Sequence, residues 1–268
     1  ALAIDPPDPI TAYVTASGFG SEHVFRTTDG GQSWQDVSAE LPDLPTSAVV
    51  VDPDQPQMVY VGNDLGVFLS PDRGETWQRI SGDLTTDDPQ KQRQEESGGL
   101  TIDNTNAENH CTIFTISESP RDKKVIWVGT DGGGLNRFDR STGGFTHFSH
   151  DPEKPRSLSS DHAWAIFEDR QGNFWIGTQG GGLNFWAEAD RTAGRDVFRR
   201  YSREDGLPSE VIYGMLEDAS GDLWMSTNRG LARLDPASGV IKSYDVHDGL
   251  QSYDFTFGAQ LLSRDGTM

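Results

Sequence analysis

A short tryptophan-centred segment occurs three times in the second half of the chain. It reads IWVGT at residues 126–130, FWIGT at 174–178 and LWMST at 223–227. The tryptophans lie 48 and 49 residues apart, and each segment is followed by a glycine turn and a short alternating strand. A fixed period of about 50 residues with several short strands per unit is typical of β-sheet repeats that pack side by side.

Each of these units has enough strands for a small antiparallel sheet. In the last two units an inner strand and an acidic turn, EDRQGN at 168–173 and EDASGD at 217–222, precede the tryptophan segment. An aromatic strand closes the unit, as at residues 145–148 and 198–201. Four strands per unit are the arrangement of a β-propeller blade, so the sequence predicts an all-β propeller with Trp127, Trp175 and Trp224 in the core between blades.

A different repeat occupies the N-terminal part. Residues 27–34 (TTDGGQSW) and 70–77 (SPDRGETW) share the pattern Ser/Thr-x-Asp-x-Gly-x-Ser/Thr-Trp, 43 residues apart. The pattern predicts a tight hairpin, because Asp accepts hydrogen bonds from turn amides and Gly adopts positive φ angles. The tryptophan is expected to pack beneath the turn.

The inner strands give the number of blades. Residues 1–268 are predicted to form one domain with five complete blades and an orphan inner strand, in a five- or six-bladed ring. The orphan strand leaves an unpaired edge. Three remedies are open: closure of an incomplete sixth blade by the N-terminus, displacement of residues 1–4, or a homodimer through the incomplete blade. The predicted inner strands are residues 1–4, 47–51, 110–116, 161–167, 210–216 and 255–262.

Charge and composition exclude several classes of function. The net charge is −20, which disfavours nucleic acids and anionic membranes. The chain contains no run of 18 apolar residues, so no membrane-spanning segment is expected. The single cysteine, Cys111, excludes an internal disulfide.

The repeats are similar to those of two known propeller families. Residues 1–130 resemble the Asp-box propellers of the sialidase and sortilin type, and residues 131–268 resemble the two-component regulator propeller. The second resemblance implies the sensor head of a bacterial hybrid histidine kinase, periplasmic or secreted, that binds a small molecule or saccharide. Asp boxes are structural turns in their family, and the arginine triad of a sialidase is not recognisable here, so sialidase activity is not expected. The junction makes the chain a hybrid of two propeller types, natural or made.

Polar residues at the starts of the inner strands are expected to meet at one mouth of the propeller channel. Carboxylate and amide oxygens suit Ca²⁺, which takes six to eight oxygen ligands, and a nearby histidine could act as a base. Trp164 and Tyr213 share one inner-strand position, where they either line the channel and stack a ligand or belong to the core. The candidates are His110, His162 and Glu210 for catalysis; Trp164, Tyr213 and Asn228 for ligand binding; and Asn109, Asp161, Glu210 and Asp254 for a calcium ion.

Two functions therefore stay open. The first is an extracytoplasmic, ligand-binding propeller of the sensor type. The second is a calcium-dependent hydrolase of small molecules, of the phosphotriesterase or lactonase type, with its site at the channel mouth. The second rests on the acidic and histidine residues expected at the channel mouth, and its analogy to known calcium-dependent hydrolases is one of fold alone.

Overall fold

The computed structural model describes residues 1–82, 84 and 112–255. These residues form five four-stranded antiparallel sheets, in which each strand pairs with its neighbour in the chain. The protein is therefore an all-β propeller with five four-stranded blades, as the repeats predict. Within the described part of the chain, no helix has the length and apolar character needed to cross a membrane. Of the predicted orphan strand, residues 255–262, only Phe255 is among the described residues.

The described residues divide into two compact units, and the boundary in the chain lies between Thr146 and His147. This boundary falls within the outer strand of blade 3. The prediction of one domain over residues 1–268 stays a prediction. Blades 1 to 3 contain β1 (Leu2–Ile4), β2 (Ala12–Thr15), β3 (Val24–Thr27), β4 (Gln35–Asp36), β5 (Thr46–Val51), β6 (Val59–Asn63), β7 (Gly66–Ser70), β8 (Gln78–Arg79), β9 (Ile113–Glu118), β10 (Val125–Thr130), β11 (Leu135–Asp139) and β12 (Gly144–Phe148).

The second unit contains blades 4 and 5. A short α-helix, α1 (Glu188–Thr192), follows the third strand of blade 4, and 3-10 turns at Arg203–Asp205 and Val246–Asp248 accompany the outer strands. The strands are β13 (Ala163–Glu168), β14 (Phe174–Thr178), β15 (Leu183–Trp186), β16 (Arg199–Tyr201), β17 (Ile212–Glu217), β18 (Leu223–Thr227), β19 (Gly230–Leu234) and β20 (Ile241–Tyr244).

The core of each unit lies between neighbouring blades. Successive side chains of a strand point to opposite faces, so within each unit a blade can pack one face of its sheet against the neighbouring blade. In the second unit, Trp175 of blade 4 packs in a buried cluster with Met215 and Leu223 of blade 5. Trp127 and Trp175 are fully buried, as predicted for tryptophans between blades. Trp224, on the last blade described, is only half-buried.

The acidic turns of the regulator-type repeat hold the tryptophans in place. The Asp169 carboxylate accepts hydrogen bonds from the Trp175 indole N–H at 2.9 Å and from the backbone N–H of Asn173 at 2.8 Å. Asp218 accepts the equivalent indole bond from Trp224 at 2.8 Å. One carboxylate thus closes the turn between the first two strands and fixes the ring beside it.

The N-terminal hairpins have the predicted turn chemistry. The Asp29 carboxylate accepts hydrogen bonds from the backbone N–H of Ser33 at 2.9 Å, its hydroxyl at 2.6 Å and the Thr27 hydroxyl at 2.8 Å. Asp72 is bound in the same way by Thr76. Trp34 remains 42% exposed, although its ring lies beside Gly31 of the turn.

The hydrogen bonds to Asp29 predict that the pKa of its carboxyl group is lower than usual. The Ser33 hydroxyl and backbone N–H, with the Thr27 hydroxyl, lower the pKa of Asp29 from 3.8 to about 2. Since the folded-state pKa is lower than the unfolded one, this turn stabilises the fold above pH 3.8, and the contribution is lost as the pH falls towards 2. Ser33→Ala is expected to raise the pKa of Asp29 towards 3.8, as measured by a carboxyl NMR titration. Asp72 is the internal control, and an unchanged Asp29 titration would contradict the assignment.

Candidate ligand-binding site on the inner strands

A β-bulge interrupts the inner strand of blade 4 and that of blade 5 at the same place. In blade 4, Ala163 pairs with Thr178 and Ala165 with Gly177, so Trp164 is the extra residue between them. In blade 5, Ile212 pairs with Thr227 and Gly214 with Ser226, which leaves Tyr213 as the extra residue. A bulge re-aims the side chain of the inserted residue, and bulges are frequent beside functional sites.

The two bulge residues contact each other through their rings. The ring centroids of Trp164 and Tyr213 lie 6.0 Å apart, and the ring planes are 16° from parallel. Both side chains are half-buried, whereas the residues that flank Trp164 in its strand, Ala163 and Ala165, are buried. The pair therefore has accessible ring surface on a rigid support, which suits contact with a flat or apolar ligand face.

Some of the predicted polar site residues lie close to this pair in the sequence. Asp161 and His162 precede the bulge of blade 4. The Asp161 carboxylate accepts the backbone N–H of His150 at 2.6 Å, and the backbone carbonyl of His162 accepts the N–H of Gln179 at 3.0 Å. The hydrogen bond to Asp161 ties the loop before blade 4 to the start of its inner strand.

In blade 5, the segment before the inner strand forms hydrogen bonds with the glycine turn of blade 4. The backbone carbonyl of Glu210 accepts the N–H groups of Gly180 at 2.9 Å and Gly182 at 3.0 Å. Asn228 directly follows Thr227, the partner of Ile212, and its enclosed Oδ1 atom accepts no hydrogen bond from the described residues. Asp254 is exposed, and its backbone N–H donates to the Ser252 hydroxyl at 3.1 Å.

The calcium and hydrolase hypotheses stay predictions. Among residues 1–82, 84 and 112–255 there is no group of three His, Cys, Asp or Glu side chains placed to hold a metal ion. Asn109 and His110 lie outside these ranges. The structure thus brings Trp164 and Tyr213 together, while the Asp161 carboxylate accepts a hydrogen bond from the backbone of His150.

One residue of this kind was missing from the candidates. In blade 3, Gly129 pairs with Thr115 and Thr130 with Ile113, so Phe114 is the bulge residue of its inner strand. Residues 113–116 (IFTI), 163–166 (AWAI) and 212–215 (IYGM) each place an aromatic second between small or aliphatic neighbours. Aligning the inner strands on this pattern would have found Phe114. In blade 2 the equivalent bulge residue is Ser47.

Tandem four-stranded antiparallel sheets of this kind are typical of a β-propeller. The two-component regulator propeller family model matches residues 157–180 and 206–229, which cover the inner half of blades 4 and 5. The chain is therefore a β-propeller in which residues 157–180 and 206–229 resemble the two-component regulator propeller, and both matches lie within the range 131–268 predicted for this resemblance. The Asp-box resemblance of residues 1–130 stays a prediction.

Known proteins with similar sequence or structure agree with this fold. Histidine kinase P4 of Formosa agariphila is 25% identical over 197 residues, which are 58% of this chain and 14% of the kinase. The extracellular domain of the hybrid two component system BT3049 from B. thetaiotaomicron superposes with a TM-score of 0.55 at 19% identity, over 74% of this chain and 24% of that one. An ancestral GH74 enzyme gives a TM-score of 0.66 at 14% identity, over 95% and 32%. The chain thus spans a small part of each of these proteins, and the structural likenesses show the fold.

Proposed function

We propose that this protein is an extracytoplasmic, sensor-type propeller that binds a small neutral ligand, such as a saccharide, against Trp164 and Tyr213. The observation that carries the proposal is the parallel stack of these two bulge residues at 6.0 Å. A sugar ring has a flat apolar face that fits an aromatic side chain, and polar edges that need hydrogen-bond partners. The regulator repeats and the similarity to a histidine kinase support a sensing role and an extracytoplasmic location.

The residues beside the stack offer the polar partners. The free Oδ1 atom of Asn228 is an acceptor for a ligand hydroxyl, and Asp161 and Glu210 lie at the starts of the same two inner strands. Carboxylates also accept hydrogen bonds from sugar hydroxyls. A net charge of −20 disfavours anionic ligands, so a neutral or cationic ligand is the better fit.

The test is isothermal titration calorimetry with neutral oligosaccharides of the cello, malto, manno and chito series. Trp164→Ala is expected to weaken binding about 30-fold, because loss of a central aromatic contact costs about 2 kcal/mol. Trp34→Ala removes an exposed tryptophan from an outer turn and is expected to leave binding unchanged. The proposal fails if none of the oligosaccharides binds, or if Trp164→Ala and Trp34→Ala behave alike.

A further inference from the structure

A cavity of about 430 Å³ beside the outer strand of blade 4 is lined by three arginines, Arg156, Arg199 and Arg200. It lies within the second unit, where the loop before blade 4 meets the chain just before β16. The backbone N–H of Phe198 donates to the carbonyl of Arg156 at 2.9 Å and joins the two segments. A cavity of this size accommodates a small organic ligand. We call the cavity lined by these three arginines the arginine pocket.

The arginine pocket has an excess of positive charge, although the chain has a net charge of −20. The acidic residue of its lining, Asp190, is already paired with Arg195, whose Nη2 atom lies 2.7 Å from the carboxylate. Within the described part of the chain, the side chains of Arg156 and Arg199 form no ion pair and no hydrogen bond. The Arg199 guanidinium lies 4.5 Å from the ring centroid of Tyr201, a contact that orients it without neutralising its charge.

The third arginine, Arg200, is fixed in place with part of its guanidinium unused. Its Nε and Nη2 atoms donate to the backbone carbonyl of Ser157 at 3.1 and 2.9 Å, and Nη2 also donates to that of Leu158 at 3.1 Å. The Nη1 atom makes none of these bonds. The pairing of the strands makes Ser243 the equivalent residue of blade 5, and its hydroxyl donates to the carbonyl of Gly206 at 3.1 Å. Since a hydroxyl is enough to join this loop to the outer strand, Arg200 supplies a charge that the joint does not need.

We infer that the arginine pocket binds a small organic anion that carries carboxylate groups on an apolar ring or chain. Guanidinium groups donate paired hydrogen bonds to carboxylates, and the half-buried Phe185 and Val197 of the lining offer apolar contact. The site is separate from the proposed ligand site at Trp164 and Tyr213, and neither of these residues lines it.

The acidic character of the whole chain does not prevent this binding. At physiological ionic strength, charges more than about 8 Å from a ligand are largely screened, so the arginines that line the pocket have the greater effect. A neighbouring cavity of about 660 Å³ shares Arg156 but is also lined by Asp151, Glu153 and Asp196. The anion is therefore expected in the arginine pocket and not in its neighbour.

An NMR titration with isophthalate, a benzene ring with two carboxylates, tests the inference. Isophthalamide has the same ring with two uncharged amides and is the matched control ligand. In physiological salt, isophthalate is expected to bind with a Kd of about 1 mM and to shift the backbone N–H signals of residues 197–200. Isophthalamide is expected to bind at least about 10-fold more weakly, because it lacks the charges that the guanidinium groups recognise.

Two variants locate the binding. Arg199→Gln removes one exposed guanidinium of the pocket and is expected to weaken isophthalate binding about 5-fold. Lys242 is the equivalent of Arg199 in blade 5 and lies 4.5 Å from the ring centroid of Tyr244, but it does not line the pocket. Lys242→Gln is therefore expected to bind isophthalate like the wild type, as is Trp164→Ala.

The backbone NMR spectrum of each variant establishes that it is folded. The inference is overturned if isophthalate does not bind at concentrations up to about 20 mM, twenty times the expected Kd. Equal binding of isophthalate and isophthalamide overturns it as well, as does an equal effect of Arg199→Gln and Lys242→Gln.

Discussion

Gly182→Ala is expected to destabilise the second unit by about 2–5 kcal/mol, since the substitution combines a strained backbone with a steric clash. Gly182 has a φ angle of +69°, in the left-handed region that residues with a Cβ atom rarely adopt. A Cβ atom there would lie 2.2 Å from the backbone carbonyl oxygen of Tyr201, in the outer strand of blade 4. A backbone atom cannot rotate away as a side chain can, so the strand itself has to move.

Gly180 is the matched control for this substitution. It lies in the same turn with a φ angle of +82°, but a Cβ atom there meets nothing within 4 Å. Gly180→Ala therefore measures the backbone strain alone, about 1–3 kcal/mol. The difference between the two variants in urea unfolding, followed by tryptophan fluorescence, isolates the clash. Equal free energies of unfolding for the two variants would show that the outer strand can move away from the added Cβ atom without a loss of stability.

Arg140→Met is expected to destabilise the first unit by about 3–5 kcal/mol, because it leaves the buried carboxylate of Asp52 and the partly buried one of Glu118 without their cation. The Arg140 Nη1 atom lies 2.7 Å from the Asp52 carboxylate of blade 2, whose side chain is 1% exposed. The same guanidinium forms an ion pair with Glu118 of blade 3 and lies 5.1 Å from the ring centroid of Tyr60. Methionine keeps most of the volume of the side chain but removes the charge.

A second set of variants separates this charge effect from lost packing. Lys123→Met removes the cation of an exposed pair with Asp54 in the same unit, and it is expected to cost at most about 1 kcal/mol. Adding Asp52→Asn and Glu118→Gln to Arg140→Met removes the two carboxylate charges and is expected to restore part of the lost stability. If chemical denaturation shows no such recovery, the loss comes from packing and the explanation by buried charge is wrong.

The repeats predicted most of the fold because each blade contains the motifs that determine its own strands and turns. The tryptophan segments, acidic turns and glycines recur at a fixed spacing, and the inner strands begin within three residues of their predicted starts in the described part of the chain. Trp34 and Trp224 are more exposed than expected, and the reason lies outside their own repeats. The burial of a motif residue depends on whether a neighbouring blade covers it, and the motif itself does not contain that information.

The site was harder to predict than the fold. The sequence placed Trp164 and Tyr213 at one inner-strand position, and the structure adds that both are bulge residues with stacked rings. A bulge depends on a one-residue shift in pairing, which periodicity alone does not show. For this reason Phe114 was missed, although its neighbours match those of Trp164 and Tyr213. The convergence of the carboxylates around one axis stays a prediction, because hydrogen bonds such as that between Asp161 and His150 depend on loop geometry that spacing does not determine.

The bulges of the inner strands have a consequence for how such a protein can change. Ser47, Phe114, Trp164 and Tyr213 are each the extra residue of a β-bulge and stand between two paired residues of the ladder. Their side chains range from a hydroxyl to an indole, while the pairing on either side is the same. The residues at these positions can therefore change during evolution while the blades keep their alignment, and a designer could vary the same positions on an unchanged scaffold.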